Sequence, residues 1–193
     1  TIAEPLCIEL YECASDIVRS GEATEAIALL TSLRDYMRTS DQLGADFRRE
    51  IAGRCLRKLG QAHLKNGNFA TAKSLLKEAL TDPHLTEAAN ALTDLGLAEA
   101  GFRSLDFALP KEEAAASETI VRALEKQQPL FQQSLEKDGR ATNTYFILGL
   151  IAVHREKPVE AENFLNRALE GMLEKEQAYQ RAHLIDWVRF FLA

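Results

Sequence analysis

The four histidines, His63, His84, His154 and His183, are the residues best suited to hold a metal or move a proton, and none sits in a pattern that serves either task. None belongs to a His-Glu-x-x-His helix, and none follows a Glu by three residues, the spacing that aims a carboxylate and an imidazole at one ion. There is no Cys-x-x-Cys, no glycine-rich phosphate loop and no Gly-x-Ser-x-Gly elbow; Gly96 and Gly101 stand alone. Glu112 and Glu113 follow Pro110 at a predicted helix start, where their charge suits the helix dipole rather than acid–base work. His63 falls at a position that reads as half-buried core. These absences point to a protein that is not an enzyme and uses no cofactor or metal.

The cations are more informative. The chain has 193 residues, with 29 acidic and 23 basic side chains and a formal charge of −6, which argues against a surface built to grip nucleic acid throughout. Residues 41–80 nevertheless carry eight basic and four acidic side chains. Within them Arg54, Arg57, Lys58, Gln61 and Lys65 recur at helical spacing. Such a row can hold an acidic peptide or a terminal carboxylate through charge-assisted hydrogen bonds, or can simply be a solvated helix face. Nucleic-acid binding through this island is an alternative, weakened because only Phe47 and Phe69 are there to stack on bases.

The elements that position these residues read as helices. Ala26, Ile27, Leu29, Leu30, Leu33 and Met37 recur at three- and four-residue steps, as do Phe69, Ala72, Leu75, Leu76, Ala79 and Leu80. Breakers divide the runs at 20–21, 39–41, 66–68, 82–83, 109–110, 138–139 and 157–158. Short turns between helices make antiparallel neighbours, so the fold class is all-α. Small residues flank three of the turns at one spacing: Ala14 and Ala26, Gly60 and Ala72, Gly149 and Ala161 are each twelve apart. Two helices cross closely only where neither carries a bulky side chain. Leu30, Leu76 and Leu165 follow four residues on, with Ala79 and Ala168 at seven, placed to meet the next pair's first helix.

Two stretches resemble the tetratricopeptide repeat, a helix–turn–helix unit of about 34 residues. They are Leu59-Gly60, Asn66-Gly67-Asn68-Phe69, Ala72, Leu76, Ala79-Leu80 and Pro83, and then Tyr145, Leu148-Gly149, Ala161, Leu165 and Ala168-Leu169. A weaker third match covers 7–40. The resemblance implies one irregular array forming a right-handed superhelix, with repeats at about 7–40, 41–84, 85–140 and 141–174 and a capping helix at 175–193. Anchors at Ala14, Gly60, Gly96 and Gly149 give steps of 46, 36 and 53. The first excess, at 40–52, reads as an extension of a first helix by about three turns. The second, between Gly101 and Glu125, puts a loop before Pro110 and a helix from about Lys111 that kinks or breaks at Pro129.

In such arrays the first helices line a concave face. The resemblance therefore implies a protein-interaction scaffold that binds a peptide or helix of a partner. Its groove positions are Arg54, Arg57, Lys58, Gln61, Lys65 and Asn90, and, in the last repeat, Asn143, Phe146, Ile147, Leu150 and His154. The latter set forms a largely apolar surface, either open to a partner or covered by a neighbouring helix or loop. Some members clamp a terminal carboxylate with Lys and Asn; here Arg57, Gln61 and Thr93 or Asp94 take those places, and the acidic residue disfavours that clamp. Leu105, Phe107 and Leu109 alternate in the loop at 102–110, which either fills part of the groove or packs over its own core. A regulatory or oligomerising arm of a larger enzyme is a further alternative. Phe190–Leu192 would let the last helix drive self-association.

Cys7, Cys13 and Cys55 are an odd set and read as buried, reduced side chains of an intracellular, cytoplasmic protein. No run suits a membrane span. The start, Thr1-Ile-Ala-Glu-Pro, shows no leader pattern; without an initiator Met it reads as a processed product or a piece of a longer chain.

Overall fold

The computed structural model describes residues 3–103 and 114–173, together with 185, 186, 188, 189 and 192. These residues form α1 (Ala3–Ser20), α2 (Ala23–Thr39), α3 (Ala45–Lys65), α4 (Phe69–Ala79), α5 (Ala88–Ala100), α6 (Ala114–Glu125), α7 (Gln128–Lys137), α8 (Thr142–His154) and α9 (Pro158–Leu173). Among the described residues there is no strand, and no helix is long and apolar enough to cross a membrane.

Each helix follows from where its apolar residues fall. α2 buries Ala23, Ala26, Leu30, Leu33 and Met37, one stripe of a two-faced helix, and α9 does the same with Ala161, Leu165, Ala168 and Met172. α8 instead buries nearly every residue from Thr142 to Ala152, as a helix covered on all sides must.

The small residues at the turns do let the helices close up. A Cβ on Gly60 would lie 2.8 Å from Leu76 Cγ, and one on Gly149 would lie 2.5 Å from Leu165 Cδ2. The group filling each glycine's space is thus the leucine sixteen residues on, four beyond Ala72 and Ala161. Leu76 and Ala79 also share a buried cluster with Ala91 and Leu95 of α5, so they join the next pair as their spacing predicts. Seven residues after Ala14, Gly60 and Gly149 the backbone turns left-handed, at Gly21 with φ 96°, Gly67 at 80° and Glu156 at 56°; after Gly96 the left-handed residue is Gly101, at 83°, only five on. Glycine takes this conformation freely, whereas Glu156 bears a Cβ there.

The third pair departs from expectation. Of the kink or break expected near Pro129 it is the break that forms, at 126–127 with Pro129 in the first turn of α7, but the two helices it leaves do not share one partner. α5 packs on α7, and α6 packs on α8. A Cβ on Gly96 would lie 2.5 Å from Phe131 Cε1, which makes Phe131 the counterpart of Leu76 and Leu165. It stands thirty-five residues after its glycine rather than sixteen, a difference equal to the nineteen-residue excess. The excess is therefore an insertion, including α6, between the two helices of one pair. A buried hydroxyl cluster locks the result. Thr93 Oγ1 lies 2.7 Å from Thr144 Oγ1 and 3.0 Å from Ser134 Oγ, and Ser134 Oγ donates to the Ala89 carbonyl at 2.9 Å, joining α5, α7 and α8.

Two further expectations are adjusted. α3 begins at Ala45, so its extension over α5 and α8 is about two turns rather than three. Cys7 and Cys55 are buried, but Cys13 is exposed. The Cys55 thiol donates to the Leu30 carbonyl at 3.6 Å, and burial pushes it up to about 12. The loop at 104–110 and most of the expected capping helix, Phe190 included, lie outside the described residues. Ile185 and Val188 are buried in the cluster around α8.

Candidate functional site

α3 carries cations on two sides. At about 100° per residue, Arg54, Arg57, Lys58, Gln61 and Lys65 share one side, and Ala45, Arg48, Arg49, Ala52 and Leu56 share the opposite one.

The first side meets α1 and α5. Arg57 is enclosed, its side chain 6 % exposed, with Nη1 donating to Glu87 Oε2 at 3.0 Å and Nη2 to Asp94 Oδ2 at 3.4 Å. Its Nε is buried without a hydrogen-bond partner. Burial pushes the Asp94 carboxyl above its ordinary range, while Arg57 and Lys58 pull it back. Burial and the adjacent Arg57 lower the Lys58 ammonium to about 8. Lys58 Nζ donates to Gln61 Oε1 at 3.3 Å. Lys65 Nζ donates to the Val18 carbonyl at 2.7 Å, in the last turn of α1. Arg54 lies 4.8 Å over the Tyr11 ring and 3.7 Å from Glu12 Oε1.

Arg57, Lys58 and Lys65 are therefore engaged within the fold rather than free on a basic groove. For Arg57 and Lys58 the cause is the start of α5, which brings in Glu87 and Asp94, thirty and thirty-seven residues on from Arg57; for Lys65 it is the end of α1. Half-buried Arg54 and Gln61 and exposed Asn90 remain at the surface.

In the last pair, Phe146, Ile147 and Leu150 are buried and offer no open apolar surface. The reason is α6: its Val121 and Leu124 share their cluster, so the inserted helix covers this face. Asn143 is half-buried and His154 exposed at the end of α8. His63 is half-buried, with burial and Arg34 holding its imidazole below the ordinary range.

No protein-family model matches this chain, and no curated protein matches it. Among the described residues no group of three His, Cys, Asp or Glu converges as metal ligands would.

The second side of α3 was not singled out by the spacing of first-helix positions. It forms one wall of a cleft of about 440 Å³. α2 contributes Arg34, Met37 and Arg38, α3 contributes Ala45, Arg48, Arg49, Ala52 and Leu56, and α4 contributes Glu78. The extra turns of α3 supply Arg48 and Arg49. Arg34 and Arg38, one helical turn apart on α2, were a signal available in the sequence.

Proposed function

We propose that the chain is a non-catalytic interaction scaffold of the tetratricopeptide type. Its four helix pairs wind as a right-handed superhelix and take a segment of a partner protein along the face of the first helices α1, α3 and α5. The observation that carries this reading is the tie from Arg57 to Glu87 and Asp94. A guanidinium fixed between two carboxylates holds α3 and α5 in one register, leaving Arg54, Gln61 and Asn90 on a preorganised surface. Little side-chain freedom is then lost when a partner docks. The sixteen-residue register of Gly60 with Leu76 and of Gly149 with Leu165, and the left-handed turn seven residues after Ala14, Gly60 and Gly149, support the repeat assignment. Because Arg57 and Lys58 are balanced by Glu87 and Asp94, the segment bound here is polar rather than strongly acidic.

A photo-crosslinking residue at Asn90, compared with one at exposed Glu162 on α9, tests this in cells. The expected result is a discrete adduct from position 90 that is absent from position 162 and weakened by Arg54→Ala. The same adducts from both positions would remove the first-helix face from consideration.

A further inference from the structure

We propose that the cleft between α2 and the first turns of α3 is a separate binding site. It would take a short acidic segment of a partner protein that carries an apolar side chain beside its carboxylates. This site lies on the opposite side of α3 from the face discussed above and does not depend on it.

Charge is the first argument. Four guanidinium groups line the cleft against one carboxylate, that of Glu78. Arg38 and Arg48 make no ion pair or side-chain hydrogen bond among the described residues. Arg34 and Arg49 pair only with near neighbours on their own helices, Asp35 and Asp46, each at 3.3 Å. Exposed pairs of this kind are worth little and exchange readily for an incoming anion. Arg38 and Arg48, which face the hollow without counterions of their own among the described residues, leave it attractive to an anion. The cations are all arginine, whose planar fork matches a carboxylate with two parallel hydrogen bonds.

Shape and polarity narrow the ligand. A cleft of about 440 Å³ falls within the range of specific ligand pockets. Its lining includes Met37, buried in the core, and half-buried Leu56. A wholly polar anion would leave that apolar surface unsatisfied, whereas a Leu, Met or Phe between two carboxylates covers it, and Met37 can adapt to the shape.

The surroundings favour a short peptide over a nucleic acid. No aromatic side chain lines the cleft to stack on a base. Exposed Asp35, Asp41, Asp46 and Glu50 lie on the segments that flank it. They would repel a long phosphate backbone and spare a ligand that ends within the hollow.

The test is selection of a displayed library of random twelve-residue peptides on the whole protein. It is repeated on the Arg38→Glu, Arg48→Glu double variant and on an Arg140→Glu control, with circular dichroism confirming that each is folded. Enriched peptides should place Asp or Glu next to Leu, Met or Phe. Their affinity should fall at least about thirty-fold in the double variant, since a hydrogen bond to a charged group contributes about 1.5–3 kcal/mol. It should be unchanged in the control and fall with added salt. Failure to enrich any peptide, enrichment without acidic residues, or acidic peptides that bind the double variant equally well would each overturn the proposal. So would displacement of the peptides by a twelve-nucleotide oligouridylate that binds more tightly than they do.

Discussion

On one side of α3, Arg57 has two carboxylates within 3.4 Å; on the other, Arg48 has no side-chain partner among the described residues. The two residues belong to one helix and have the same chemistry. What separates them is the neighbour each side meets. α5 brings Glu87 and Asp94 to the first side, so its charge contributes to folding. α2 brings Arg34 and Arg38 to the second, so its charge remains available to a ligand. A basic run in a sequence therefore says nothing about binding until the opposing helix is known.

The comparison can be broken most severely at Arg57. Arg57→Ala should remove about 3–5 kcal/mol of stability, because it leaves two enclosed carboxylates without their cation. Denaturant titration measures this, and a loss under about 1 kcal/mol would mean that the face relaxes and is not the fixed network described. Lys58 comes next. Its ammonium titrates near 8 in the fold, against an ordinary value of 10.5. Between those pH values the unfolded chain binds more protons, so stability should rise with pH across that window, by on the order of 3 kcal/mol. Lys58→Met should abolish that rise and be the more stable protein at neutral pH; titrations at several pH values compare the two directly. A smaller effect is expected at Gly60, which seats α3 against Leu76. Gly60→Ala puts a Cβ 2.8 Å from Leu76 Cγ and should cost about 1–3 kcal/mol by thermal melting, moving both sides of α3 together. The smallest change belongs to the cleft: Arg38→Glu and Arg48→Glu should each leave stability within about 0.5 kcal/mol, however large their effect on binding.

Much of the helix pattern was legible because breakers and small residues act locally. Ser20-Gly21, Asn66-Gly67-Asn68 and Lys157-Pro158 mark turns that the structure contains, and Gly60 and Gly149 mark real close approaches. The pairing of α5 with α7 was not legible from a twelve-residue rule, since Phe131 reaches Gly96 only across the inserted α6. The fate of Arg57 was hidden for a similar reason, its counterions lying on another helix. The cleft escaped notice because it draws on two helix pairs joined through residues 40–44, and no single periodic stripe contains it.

The nineteen-residue insertion has a consequence for how the chain is made. α3 finds its partner sixteen residues after Gly60, so that pair can close almost as soon as it leaves the ribosome. α5 must wait for Phe131, more than twice as far along, and each doubling of a loop adds about 0.6 kcal/mol to the entropy of closure. Until then the apolar residues of α5, among them Leu92, Leu95 and Leu97, have mainly α4 to pack on. The middle of the nascent chain thus waits longest for its cover, and is the part where a chaperone would find sticky surface exposed for the longest time.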